Sequence, residues 1–264
     1  MISIIIPFKD NHKLLKQCIF GILEKTIYQD YEIILVDNQS REARTKKLLE
    51  ELEEDDKIRI LNYDKPFNFS AINNFAVKHA KGDFILFLNN DTEAISPNWL
   101  DEMLRCFEDE KAGVVGARLL YSDGTIQHCG VMLEEKRLAI HAFRMWKEAD
   151  VRVGARQEWK AVTGACMMTR KALFLRLGGF DEENLPIAYN DVDYCLRVGE
   201  LGIKTICVSS IKLYHYESVS RKSDVLARFF NRKRYLKFIK EQEYMRKRWS
   251  REISQDEFYD KTFI

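Results

Sequence analysis

The sequence predicts an α/β protein: a doubly wound, mostly parallel sheet, then a smaller and less regular region, then a basic helical tail. Three observations carry this. Short β-branched apolar runs (SIIIP, YEIILV, KIRIL, DFILFL) recur between Ser3 and Leu88. Helical stretches separate them, so the pattern reads β-α-β-α-β-α-β. The second and fourth runs stop abruptly in oxygen-bearing side chains, Asp37-Asn38-Gln39-Ser40 and Asn89-Asn90-Asp91-Thr92. In an open α/β sheet, ligands bind beyond such carboxyl ends.

Element by element, Ser3 to Pro7 reads as a buried strand ended by proline. Leu14, Leu15, Cys18, Ile19, Ile22 and Leu23 recur at helical spacing and predict a helix over His12 to Thr26. Tyr31 to Val36 is a second strand. Arg41 to Glu54 is a charged helix with a thin stripe of Leu48, Leu49 and Leu52, and Lys57 to Leu61 is a third strand. Ser70 caps a helix that reaches His79, Gly82 breaks it, and Asp83 to Leu88 is the fourth strand. Right-handed crossovers put the loops after Pro7, Val36 and Leu88 on one rim, so Asp10, Asp37 and Asp91 become neighbours.

The second half is less regular. Pro97 to Phe107 reads as a helix with Ser96 as its cap. Ala112 to Tyr121 is a strand followed by the turn Ser122-Asp123-Gly124. Val131 to Arg156 has no clean period and reads as a long loop or excursion over the site. Trp159 to Thr169 is a further strand, Lys171 to Leu177 a short helix closed by Gly178-Gly179, Asp191 to Leu201 a helix, and Lys204 to Val208 a strand. From Ser223 onward the pattern is helical and strongly basic.

Composition narrows the function classes. Of 264 residues, 46% are hydrophobic and 31% charged, which suits one large globular domain or a domain with an appendage. A formal net charge of +1 gives no steering toward nucleic acid. Cys18, Cys106, Cys129, Cys166, Cys195 and Cys207 are scattered without CxxC spacing. That argues for small buried side chains in a reducing cytoplasm and against a zinc site. Met1 leads straight into a strand with no basic leader, and no apolar stretch approaches the roughly 20 residues of a membrane span. The expected location is the cytoplasm, or the inner face of the cytoplasmic membrane.

Asn89, Asn90 and Asp91 at a strand end can hold a hard cation against a phosphate, or simply form a polar turn. The surrounding motifs favour the first reading. SIIIPFKD, ILVDNQS, FILFLNNDTE, GGFDE and NDVDYCLR, in this order, resemble family 2 glycosyltransferases with a GT-A, Rossmann-like fold. PFNFSAINNFA, DGTIQHCGV and LYHYESVSR resemble the bacterial surface-polysaccharide, rhamnosyltransferase-like branch. The resemblance implies a catalytic domain over residues 1–220, split into a nucleotide-binding half (1–95) and an acceptor-binding half (96–220), with a basic amphipathic extension over 221–264.

It also implies roles. Asp37 contacts the nucleotide and Ser40 adds a hydrogen bond, although either also suits helix capping. Pro7, Phe8 and Asp10 frame the base, although Phe8 also suits plain core, with Asn68, Asn73 and Asn90 on the nucleotide side. Asp91 ligates the metal, Mn²⁺ or Mg²⁺, with His215 in LYHYE; Asn89 stands where many relatives have Asp. A His ligand suits Mn²⁺ better. Asp191 aligns with the general base, and Asn190 replaces the usual Glu. His128, Gly164 and Asp181 fall on the sugar and acceptor side, although turn formation explains Asp181 almost as well. Asp193, grouped with them, lies two residues beyond Asp191, points elsewhere on the helix and orients the site. Arg221 and Lys222 are placed to clamp the diphosphate.

One base and one metal-bound leaving group imply a single displacement with inversion. The expected donor is a UDP- or dTDP-linked sugar and the acceptor a glycan or lipid-linked glycan. The basic tail reads equally as a membrane-surface helix or as one that packs on the domain. Two rivals remain: a non-catalytic sugar-nucleotide or glycan-binding module, kept open by Asn89 and Asn190, and a sugar-phosphate nucleotidyltransferase, disfavoured because no Gly-rich loop follows Pro7.

Overall fold

A computed structural model describes residues 1–150, 152–216 and 232–264. Its first half alternates as the sequence predicts: β1 (Ile2–Phe8), α1 (His12–Lys25), β2 (Tyr31–Asp37), α2 (Ala43–Leu52), β3 (Ile58–Asn62), α3 (Phe69–His79) and β4 (Phe84–Leu88). β5 (Thr92–Ala94), α4 (Trp99–Arg105), β6 (Ala112–Leu120), β7 (Ile126–His128), β8 (Val131–Glu134), β9 (Leu138–His141) and β10 (Arg156–Trp159) follow. Then come β11 (Cys166–Arg170), α5 (Lys171–Arg176), α6 (Asn190–Gly199) and β12 (Lys204–His215), and finally α7 (Arg232–Arg248) and α8 (Ser250–Ser254).

The large sheet runs β10-β12-β6-β11-β4-β1-β2-β3. β3, β2, β1 and β4 are mutually parallel, and β11 enters antiparallel between β4 and β6. Register fixes the rim: Phe8 lies opposite Asp37, Asp37 opposite Asn62, and Ile5 opposite Phe87. The carboxyl ends of β1, β2 and β4 therefore open on one edge.

Strand alternation divides the core between the two faces of the sheet. Ile4 and Ile6 pack with Leu15, Ile19, Ile22 and Trp99 on one side. Ile5, Ile34 and Phe87 pack with Ile72, Phe174, Phe180 and Tyr194 on the other. A strand covered on both faces is apolar nearly throughout, which is why ISIIIPF shows no polar alternation; its one hydroxyl, Ser3, is buried and donates to Glu32 Oε1 at 2.6 Å. Each fully buried Ile contributes about 1.5–3 kcal/mol.

Several boundaries differ from expectation, each for a local reason. Asn68, not Ser70, caps α3: its Oδ1 accepts from Ala71 N at 2.9 Å, while the Ser70 hydroxyl donates to Leu185 O at 2.5 Å. α4 begins at Trp99 rather than Pro97, because Thr92–Ala94 first pairs with β12. The aperiodic stretch after Val131 contains the β8–β9 hairpin. The strand expected over Trp159 to Thr169 is two strands in different places, β10 on β12 and β11 between β4 and β6. β12 runs on to His215, beyond the expected end at Val208.

The described part of the tail packs on the domain. Met245, Trp249 and Ile253 are buried in the same core as α6. Asp256 accepts from Leu133 N at 2.6 Å, and the Phe263 ring lies 4.8 Å from that of Phe143.

Candidate active site

Asn89-Asn90-Asp91 leaves β4 directly and leads into β5, whose Thr92 pairs opposite His215 of β12. That register brings His215 Nε2 to 3.2 Å from Asp91 Oδ1 and 3.3 Å from Asn89 Nδ2. Asp91 and His215 are only 6% and 9% exposed. The other ring nitrogen, Nδ1, lies 2.6 Å from Gln127 Oε1. An amide oxygen only accepts, so Nδ1 carries a proton; in the neutral imidazole Nε2 then presents a lone pair, which the Asn89 amide NH₂ faces at 3.3 Å. A cation shared between that lone pair and the Asp91 carboxylate would satisfy both. One carboxylate and one imidazole suit Mn²⁺, and the other positions fall to phosphate oxygens and water. Among the described residues no group of three or more His, Cys, Asp or Glu is arranged to hold a metal by itself. An ion held by Asp91 and His215 would need further ligands from beyond this pair.

Asp191 is tied to this pair through backbone. Its Oδ2 accepts from Gly164 N and its Oδ1 from Val192 N, each at 2.8 Å. The next residue, Ala165, accepts from Asn89 N at 3.0 Å. Each oxygen of Asp191 keeps a second lone pair for an acceptor proton.

On the nucleotide side, Asp37 Oδ1 accepts from Ser40 N at 2.8 Å, and its Oδ2 has no partner among the described residues. Asp10 and Ser40 bind the loops after β1 and β2 to each other. Asp10 Oδ1 accepts from Arg41 N (2.6 Å) and Glu42 N (2.8 Å), and Asp10 N donates to Ser40 Oγ (2.7 Å). Pro7 and Asn90 are half-buried at this rim.

The glycosyl transferase family 2 model matches residues 3–177 of the chain. The chain belongs to glycosyl transferase family 2. It is 35% identical, over 98% of its length, to the uncharacterized protein y4gI of Sinorhizobium fredii, of which it spans 29%. It is 38% identical, over 85% of its length, to the O-antigen biosynthesis protein RfbC of Myxococcus xanthus, of which it spans 18%. The chain thus covers less than a third of either relative.

Two solved glycosyltransferases share the GT-A fold. GalNAc-T7, in a crystal with UDP, GalNAc and Mn²⁺, superposes at TM-score 0.70 with 14% identity, over 85% of this chain and 45% of that one. The mannosyltransferase PcManGT from Pyrobaculum calidifontis, with GDP-Man and Mn²⁺, gives 0.63 with 15% identity, over 85% and 59%.

Several residues that the family resemblance nominates serve this glycosyltransferase differently. Phe8 is 4% exposed and packs in the core beneath the rim. Asn73 is fully buried, its Nδ2 donating to Phe69 O, and Asn68 is spent on capping α3. His128 is fully buried; desolvation, then the neighbouring His141 and His215, hold it neutral, well below its ordinary value, and its Nε2 accepts from Gly130 N and Thr163 N. Asn190 is 3% exposed, with Nδ2 toward Leu185 O.

Asp193 has no exposure. It accepts from Arg197 Nε (2.7 Å) and Trp249 Nε1 (2.9 Å), and Arg197 in turn holds Leu177 O and Gly179 O. Asp181 accepts from Asn184 N (2.9 Å) and the Tyr244 hydroxyl (2.8 Å); its carboxyl lies below the usual range although partial burial opposes this, because these donors favour the charged form. Asp193 thus braces the turn at Leu177 and Gly179 through Arg197, the orienting role expected of it, and Asp181 is engaged by its own turn and by Tyr244. Arg221 and Lys222 lie outside the described residues.

Two residues escaped the sequence reading. Gln127 sets the His215 tautomer. Glu93 gathers Lys25 Nζ (2.6 Å), Gln17 Nε2 (2.7 Å) and the Tyr216 hydroxyl (2.8 Å), anchoring the chain one residue past His215. The Tyr216 hydroxyl is pushed up to about 12 by burial and by Glu93. Gln127 directly precedes the His128 that the motif singled out.

Proposed function

We propose that this family 2 domain is a divalent-metal-dependent, inverting glycosyltransferase that moves a sugar from a nucleoside-diphosphate donor to a hydroxyl of a growing bacterial surface glycan. The observation that carries the reading is the backbone path from Asp191 through Gly164, Ala165 and Asn89 to the Asp91–His215 pair. It sets a candidate base and a candidate cation site on adjoining stretches of chain, as a single displacement requires.

Asp91 and His215 would hold the ion, with Asn89 beside them, and a bound divalent ion would supply charge neutralisation at the leaving diphosphate. The acceptor oxygen attacks the anomeric carbon as the carbon–oxygen bond to the diphosphate breaks, and its proton passes to Asp191. Asp37 receives a base or ribose hydrogen, with Pro7 and Asn90 beside it and Asp10 and Ser40 shaping the loop. Arg221 and Lys222 supply further positive charge at the diphosphate.

Mn²⁺ is the preferred ion because of the imidazole, and it accompanies UDP or GDP-Man in the two structural neighbours. A pyrimidine nucleotide, UDP or dTDP, is the proposed donor class, and the likeness to RfbC supports a surface-glycan acceptor. Six buried free cysteines support a cytoplasmic setting. No described helix is long and apolar enough to cross a membrane. Exposed Arg232, Lys233, Lys237 and Lys240 on α7 support contact with an anionic membrane face carrying a lipid-linked acceptor.

The test is a panel of UDP-, dTDP- and GDP-sugars scored for Mn²⁺-dependent release of nucleoside diphosphate, with Asp191→Asn beside wild type. Wild type should turn over and Asp191→Asn should lose turnover yet keep donor binding. Donor binding without turnover in wild type would establish the binding-module rival instead.

A further inference from the structure

The tail helix carries one acid that its basic character conceals. Within α7 most charged side chains reach solvent, but Glu241 is only 2% exposed. Its two oxygens fork onto consecutive main-chain amides of another part of the chain: Oε1 accepts from Ile187 N at 3.1 Å and Oε2 from Ala188 N at 2.9 Å. A carboxylate across two adjacent amides is a charge-assisted, geometrically exacting contact.

The segment so held leads directly into α6. Tyr189, the residue before the helix, has φ 60° and ψ 4°, a left-handed conformation that a bulky side chain rarely adopts, and no side chain of its own caps the helix. Such a conformation persists only when its surroundings enforce it. α7 supplies the enforcement: besides the Glu241 fork, Gln242 Nε2 donates to the Tyr189 hydroxyl at 2.9 Å, and the Phe238 ring stacks on Tyr189 at 5.8 Å and 23°. On the far side, Trp249 Nε1 donates to Asp193 Oδ1 at 2.9 Å. Asp191 therefore lies between two points that the tail holds, Ala188 before it and Asp193 after it.

We infer that Glu241 is a positioning residue for transfer: it fixes the entry of α6 so that the Asp191 carboxylate stands where an acceptor proton is delivered. This rests on the reading of Asp191 as general base. The tail thereby belongs to the catalytic apparatus, and its packing on the domain has a mechanistic consequence apart from stability.

The experiment compares wild type, Glu241→Gln, Glu243→Gln and Asp191→Asn in Mn²⁺-dependent nucleoside-diphosphate release, on the donor that wild type turns over best. Gln keeps the shape of Glu but turns an NH₂ group toward one of the two amides, so the fork cannot persist. Glu241→Gln should lower kcat about 100-fold, the size of effect expected from roughly 1 Å of misplacement, with the donor KM unchanged, as for an interaction that matters in the transition state. Each variant is assayed well below its own Tm, so loss of folded protein cannot mimic the result. Glu243→Gln, an exposed acid two residues away on the same helix, should keep wild-type kcat.

Wild-type kcat in Glu241→Gln, with Asp191→Asn inactive, overturns the positioning role and leaves the base assignment standing. A donor KM that rises while kcat holds also overturns it, as does an equal loss in Glu243→Gln, which would trace the effect to helix charge. Retained turnover in Asp191→Asn removes the base assignment and this inference with it, and silence of wild type across the donor panel removes both.

Discussion

Replacing Gln127 by Leu tests the cation site without touching a ligand. Gln127 Oε1 accepts the Nδ1 proton of His215 at 2.6 Å, and both side chains are buried, at 3% and 9% exposure. With that acceptor gone, the imidazole gains by moving its proton to Nε2, which stands 3.2 Å from Asp91 Oδ1 and can then donate to it. A hydrogen bond to a carboxylate contributes about 1.5–3 kcal/mol net. Restoring the ligating tautomer must first give that up. At about 1.4 kcal/mol per decade, Mn²⁺ affinity should fall by about ten- to a hundredfold, which is also the usual consequence of removing a partner behind a metal-bound histidine. Gln127→Glu retains an acceptor at Nδ1 and should keep the affinity. The assay is calorimetric titration of Mn²⁺ into each variant at saturating UDP, with thermal melts confirming that each is folded. Equal Mn²⁺ affinity in wild type and Gln127→Leu would refute the tautomer argument and count against His215 as a ligand.

Two further outcomes follow from buried charge. Asp193→Asn leaves the Arg197 guanidinium buried beside a neutral amide, so urea unfolding should show a loss of about 3–5 kcal/mol; a change within about 0.5 kcal/mol, the range of surface substitutions, would mean that the Asp193–Arg197 pair does not brace α6. His128 is held neutral in the fold by burial, so below its ordinary value of 6.5 the unfolded chain binds a proton that the folded chain refuses. The stabilisation is complete above that value and is lost as pH falls toward the depressed folded value, by about 1.4 kcal/mol per pH unit for one proton. His128→Gln should remove that component from unfolding free energies measured between about pH 7 and about pH 5; an unchanged slope would show that His128 takes up its proton in the folded protein.

The parallel half of the fold was legible because its strands are covered on both faces. That forces uninterrupted runs such as YEIILV, whose ends then mark the ligand rim. The later strands were not, for opposite reasons. Arg156–Trp159 pairs along the outer edge of β12 with mostly polar side chains, and Thr92–Ala94 is too short to show a period, so neither carries an apolar signature. β12 continues past Val208 through an irregularity in its pairing with β6, with an exposed serine there, where a sequence reading sees a turn.

The tail was ambiguous because its buried positions, Glu241, Met245 and Trp249, recur at helical spacing but include an acid. An acid at a core position is legible only once its amide partners, more than 50 residues away, are known.

The site shows how neighbours in sequence part company in space. In NDVDYCLR two acids are separated by a single residue; a helix turns about 200° between them, so Asp191 meets Gly164 while Asp193 turns inward to Arg197 and Trp249. In TIQHCG the strand period of two sends Gln127 and His128 to opposite sides. The chemically conspicuous His128 is buried with its Nε2 accepting from Gly130 N and Thr163 N, and the unremarkable Gln127 orients His215. A motif tells which stretch approaches the chemistry. Which member of it arrives is decided by the period of the element that carries it, and by what the opposite face must pack against.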